Sequence, residues 1–293
     1  MGYSARYHAV SIAAVFLALA IGILLGVGLG DNVVSGTEKS LRDSLENDID
    51  DARAEASDLR GQLEREQDFA SRAYPALVGD ALRGRRIGLI GIGGLSSDLE
   101  GDVEDALDPT GGELVEVSVL EIPPNRGALA SAVGRPFAKA GENDSQLETL
   151  AERLGTQVVR GRGRLLEEAR SVLFSRSSGE GGKLDGVVLN RPALTDSESA
   201  ENSATDAFIA GFIRGVTDAG KPTVAVEGTE APESSIPFFS QFDLATVDDV
   251  DLTAGKVAMV FALLGAEGDF GIKDTADSLL PELLVPARRR GSG

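Results

Sequence analysis

A chain of 293 residues has room for one substantial core with accessory segments beside it. Its 47 acidic and 28 basic side chains leave a formal charge of −19. That excludes the clustered cationic face needed to hold a nucleic-acid backbone, and suits a soluble ectodomain or a docking surface for basic partners. With no cysteine and a single histidine, His8, the chain beyond its amino-terminal segment has neither Cys/His nor Ser/His/Asp nucleophile systems.

After a short tail, 1–8, the stretch from Ala9 to Gly30 is uncharged and contains one hydroxyl, Ser11. Its length matches a helix crossing a hydrocarbon core of about 30 Å. A cleaved signal peptide is the rival, but its apolar core is usually only ~7–15 residues, and no convincing A-x-A site follows. Small residues recur every fourth position, at Ala14, Ala18, Gly22, Gly26 and Gly30, a stripe on which a second backbone can approach closely. Arg6 precedes the stretch and Lys39 and Arg42 follow it, so counting cations does not fix its direction.

The next segment, 31–75, carries apolar residues at Leu45, Ile49, Ala52, Ala56, Leu59 and Leu63, alternating intervals of four and three. This is the seam of a coiled coil rather than the broader stripe of a helix lying on a core. With Leu45, Ala52 and Leu59 at d and Ile49, Ala56 and Leu63 at a, Asp48 and Glu55 fall at g and Arg53 and Arg60 at e. A parallel dimer then sets Asp48 against Arg53 and Glu55 against Arg60, each exposed pair worth only about 0.2–1 kcal/mol. A helix from Thr37 to Arg72 would span on the order of 50 Å. Within it, Glu66 at the next d position interrupts the seam.

From 84 to 285 the pattern is that of an α/β domain. Apolar runs at Arg86–Gly91, Leu114–Leu120, Asp185–Asn190, Pro222–Glu227 and, more weakly, Asp243–Val247 read as strands covered on both faces. Helical periodicity occupies Leu99–Leu107, Leu147–Leu154, Leu165–Phe174, Ala204–Thr217 and Leu252–Leu264. The alternation predicts a Rossmann-like, doubly wound, mainly parallel sheet. Pro123–Ser145 and Ser175–Lys183 read as connective, and 286–293 as a basic flexible tail.

The first strand runs into Gly91, Gly93 and Gly94, which resemble a dinucleotide fingerprint with Ser96 where a third glycine would stand. Glu116 and Glu121 are the nearest ribose-binding candidates. Glycines equally suit any tight strand-to-helix turn, and no cofactor is expected. Asp248, Asp249 and Asp251 offer oxygens to a hard cation but read as a solvated turn. Soft metals would find only Met1, Met259 and His8. Carboxylate pairs abound without a spacing that marks an acid–base enzyme.

The block RYHAVSIAAVFLALAIGILLGVGLG, the charged coiled coil, the IGLIG strand and the late segment GDFGIKDTADSLLPE together resemble the actinobacterial MctB family. Its members carry a copper-transport label and, in the setting of cell separation, the name SteB. The resemblance covers nearly the whole chain, its membrane-proximal block being the most specific part. It implies one of two roles: copper export or homeostasis through a proposed pore, or membrane partnership with SteA in controlling peptidoglycan hydrolases. SteA has a thiamine-pyrophosphokinase-like domain. The resemblance also implies that the stalk and domain lie outside the cytoplasm.

The residues favour the second role. One span encloses no pore unless many copies assemble, copper ligands are nearly absent, and the alternating strands of an outer-membrane barrel are missing. The expectation is a non-enzymatic, homodimeric, single-pass protein of the cytoplasmic membrane, its amino terminus in the cytoplasm. It would contact lipid, a SteA-like protein and the peptidoglycan-hydrolase machinery. Copper transport is the alternative, and a degenerate Rossmann-like nucleotide binder the second.

Overall fold

The computed structural model describes residues 4–192 and 203–282; along the first helix the side chains of 4–7, 9, 27–41 and 43 also fall outside the description. The carboxyl-terminal tail, 286–293, lies outside the described residues. Contacts divide the chain into two compact units, one ending at Glu66 and the other starting at Gln67.

The first helix, α1 (Ser4–Val78), carries both the apolar stretch and the heptad segment. Among the described residues no helix is long and apolar enough to cross a membrane. The side chains that are described from 10 to 26 are nonetheless exposed on every side of the helix, Leu24 at 75% and Val10 at 69%. The heptad positions Leu45, Ile49, Leu59 and Leu63 are also about half exposed. Tyr74 and Val78, in the last turns of α1, are buried in a core of the second unit. There the Tyr74 hydroxyl donates to the Ala106 carbonyl at 2.6 Å.

The second unit contains β1 (Arg86–Ile92), α2 (Ser97–Leu107), β2 (Glu113–Leu120), α3 (Arg126–Val133), α4 (Asp144–Arg160), α5 (Arg164–Leu173), β3 (Phe174–Gly179) and β4 (Gly186–Asn190). There follow α6 (Ser203–Thr217), β5 (Thr223–Val226), α7 (Ile236–Phe239), β6 (Ala245–Val247), α8 (Thr253–Leu263) and β7 (Asp269–Phe270). Among the described residues seven strands form one sheet in the order β3-β2-β1-β4-β5-β6-β7. Every pairing is parallel except β2 with β3. The fold is therefore mixed α/β with a mostly parallel sheet. Its order begins like that of dinucleotide-binding folds, 3-2-1-4-5-6, but the third strand runs backwards.

Alternation along the strands explains the long apolar runs. In β1, Ile87 and Leu89 enter one core while Ile90 and Ile92 enter the other; in β4, Val188 and Val187 divide in the same way. One face is covered by α2, α8 and the end of α1, the other by α3, α4, α5 and α6. Ala204, Phe208, Phe212 and Val216, the face expected from spacing alone, are all buried in that second core.

Two expected connections are structured. The stretch Pro123–Ser145 contains α3, whose Leu129 and Val133 are buried, and the first turn of α4. Ser175–Lys183 contains most of β3, an edge strand whose residues after Phe174 are exposed. Its polar sequence, SRSSG, has no apolar alternation; pairing with β2 makes it a strand.

Candidate functional site

The strand order reverses between β1 and β4, and a crevice of about 460 Å³ opens outside the carboxyl ends of the strands. Doubly wound sheets bind ligands at such a switch point. The crevice has three built sides. The first two turns of α2 supply Asp98, Leu99 and Asp102; the end of β4 and the residues after it supply Asn190, Arg191 and Pro192. The third side is the loop after β5, from Glu227 to Glu233, with Asp251 behind it.

Hydrogen bonds from the domain itself fix the third side. Glu227, 2% exposed, accepts from Ser234 Oγ at 2.7 Å, Ser235 N at 2.7 Å and Lys273 Nζ at 2.8 Å. Asp251 accepts from the backbone N–H of Thr229 at 2.7 Å and from its hydroxyl. Lys273 also donates to the Gly228 carbonyl. The loop is thus tied at 228, 229, 234 and 235 before any ligand arrives, which lowers the ordering cost of binding.

The acidic run Asp248, Asp249 and Asp251 is not the solvated turn its composition suggests. Asp248 is 1% exposed and accepts from Ile272 N at 2.8 Å and Lys273 N at 3.1 Å. Asp249 is fully buried, and neither of its oxygens has a hydrogen-bond partner among the described residues. Burial first, then the charges of Asp248 and Asp251, raise its pKa from 3.8 to about 6, against smaller pulls from its own amide and Lys273. Tertiary contacts buried these acids; no local pattern announces it. Among the described residues no group of His, Cys, Asp or Glu is placed to hold a metal.

Arg191 lies on the opposite side, its guanidinium 4.2 Å from the centre of the Phe238 ring. Its Nε is buried without a partner among the described residues. Burial lowers its pKa, while Asp206 and Glu233 favour the charged form. Among the lining residues described, six are carboxylates and this is the single cation.

The glycines of the first turn are explained within the chain. A Cβ on Gly91 would lie 2.3 Å from the Gly94 carbonyl oxygen, and one on Gly94 would lie 3.0 Å from Pro192 Cγ. Gly93 has φ +80°, a conformation that favours glycine. Ser96, in the place of a third glycine, caps α2 by accepting from Leu99 N at 3.2 Å. Glu116 is buried against Arg170 and Ser118, and so is committed elsewhere; Glu121 is exposed at the end of β2. The carboxylates around the crevice repel phosphate.

On α1, Ala14, Ala18, Gly22 and Gly26 are exposed, and nothing lies within 4 Å of a Cβ placed on either glycine. Gly30 falls outside the described side chains. Along the heptads Ala52 is exposed and Ala56 half-buried. Asp48, Glu55 and Arg60 are exposed, and Arg53 pairs within its own helix with Asp50 at 3.2 Å. His8 is exposed, whereas Met259 is fully buried on α8. The crevice residues Asp98, Arg191, Glu227, Glu230 and Glu233 are not singled out by sequence. The acid that closes the apolar run PTVAVE was the one available signal, since it ends a parallel strand.

A family model described as "Copper transport outer membrane protein, MctB" matches residues 3–281, and the chain belongs to this family. Proteins named "Copper transporter MctB" in Mycobacterium bovis and Mycobacterium tuberculosis are 37% identical over 84 residues. That match covers 29% of this chain and 27% of each relative, so it spans little more than a quarter of their length.

Proposed function

We propose that this member of the MctB family is a single-pass envelope protein anchored by residues 9–30, with its amino terminus in the cytoplasm. It pairs in parallel through that segment and the heptads from Leu45 to Leu63, and its α/β domain recruits proteins that act in cell separation, the role that the resemblance to SteB implies. It acts by binding rather than by chemistry, with a SteA-like protein and the peptidoglycan-hydrolase machinery as partners.

The surface of α1 carries this reading. Large apolar side chains from Val10 to Leu25 are 52–75% exposed around the whole helix, an arrangement that water disfavours and lipid accepts. The described apolar surface, 10–26, is 17 residues long; the sequence continues apolar through 27–30, and together they reach the length needed to span a bilayer. The seam that follows is exposed along a line, as the face of an unpaired coiled coil would be.

Single cysteines at Leu45 and at Leu59, in membranes of the native host, should each yield a disulfide-linked dimer on oxidation. Failure at both positions overturns the parallel pair. Deleting the gene should impair daughter-cell separation and leave copper tolerance unchanged.

The family description favours a second reading, copper transport. The chain would have to manage it without cysteine, with an exposed His8 and a Met259 closed inside the core. Copper sensitivity on deletion, without a separation defect, would establish that reading instead.

A further inference from the structure

We infer that the switch-point crevice binds a ligand carrying a primary aliphatic ammonium group, either a free polyamine or the side chain of a lysine in a peptide. This goes beyond the anchoring role and holds whether or not the chain pairs or spans a membrane.

The first observation is the cavity itself. About 460 Å³ lies within the usual range for a small-molecule site, at the place in the sheet where such folds bind ligands. One side is held in advance by the buried Glu227 and by Asp251, which tie the loop from 227 to 235.

The second observation is the charge left over once internal pairs are counted. Glu227 is neutralised by Lys273, Asp102 pairs with Lys256 at 3.3 Å, and Asp251 is taken up by Thr229. Asp98, Glu230 and Glu233 have neither a hydrogen bond nor an ion pair within the described residues, and all three are exposed. The amino terminus of α2 would ordinarily favour an anion, but Ser96 and Asp98 already answer its first turn. The field left in the crevice is therefore negative, and its natural occupant is a cation.

The third observation selects the kind of cation. Leu99, Ala231, Pro192 and Pro232 give the crevice apolar walls. Methylene groups gain from such walls while the charged head reaches a carboxylate, the division found in lysine and in polyamines. Among the described lining residues Arg191 is the one cation that opposes an ammonium ion, and its removal should help binding.

The test is calorimetric titration of the full-length chain in detergent micelles. Three probes serve: spermidine, Nα-acetyl-lysine amide and an uncharged diol of matching length. Spermidine or the lysine amide should saturate, and the diol should not; whichever amine binds more tightly identifies the source. Combining Asp98→Asn with Glu233→Gln should weaken binding at least about tenfold. Arg191→Met should tighten it about threefold or more, a gain that misfolding cannot imitate. Absence of saturation by either amine below about 10 mM overturns the inference. So does equal binding of the diol, or an affinity unmoved by both variants.

Discussion

Two pairs of glycines four residues apart, Gly22 with Gly26 in α1 and Gly211 with Gly215 in α6, have opposite surroundings. A Cβ on Gly215 would lie 1.8 Å from the carbonyl oxygen of Glu152, and one on Gly211 would lie 2.4 Å from that of Glu148. From the facing helix, a Cβ on Gly155 would lie 2.3 Å from the Phe212 carbonyl oxygen. So α4 and α6 meet backbone to backbone, and Thr156 Oγ1 donates to the Gly215 carbonyl at 2.9 Å. At Gly22 and Gly26 nothing approaches within 4 Å. Small residues at this spacing make room for a second helix; they do not say which chain supplies it.

The largest expected effect is on the internal pair. Gly215→Val forces side-chain atoms into the α4 backbone and should destabilise the α/β domain by about 3 kcal/mol or more, read as a fall in the urea midpoint. A fall below about 1 kcal/mol would mean that the contact yields easily and that the contrast between the two glycine pairs is overstated.

A second experiment asks whether the interior is satisfied as fully as the α4–α6 contact suggests. Asp249 holds its proton more tightly in the folded state than in the unfolded chain. Its stabilising protonation is therefore complete below pH 3.8 and lost as pH rises through about 6. Asp249→Asn should shift stability in the variant's favour by about 2–3 kcal/mol between pH 4 and pH 7, whatever constant cost the amide adds. Urea melts of both proteins across that range measure it, and a pH-independent difference would refute the raised pKa.

The smallest folding effect belongs to the open pair. Gly22→Leu with Gly26→Leu should leave the stability of the α/β domain within about 0.5 kcal/mol of the parent. The same change should lower the signal of a membrane two-hybrid assay for self-association. An unchanged signal would leave that stripe without a partner helix.

The core strands were legible because both of their faces are covered. IGLIG, GVVLN and TVAV needed no alternation to be recognised, and each has parallel neighbours on both sides. β3 was not legible: an exposed edge strand needs no apolar pattern, and its pairing partner lies far away along the chain. Asp269–Phe270 is too short to show any period. In α3 the buried Leu129 and Val133 were hidden among Pro and Gly, whose turn signals dominate a local reading.

The sequence by itself determined the apolar run and heptads of α1, the alternation of strands with helices, and the shortage of soft-metal ligands. Each is a matter of composition or of spacing within one turn or one strand, where burial repeats with the geometry of the element. Only the tertiary structure decided which acids are free. Glu116 is neutralised by Arg170 and Glu227 by Lys273, while Asp98 and Glu233 are left facing a crevice assembled from four separate segments. Such pairings depend on how the chain crosses from strand to strand, and no local spacing records those crossings.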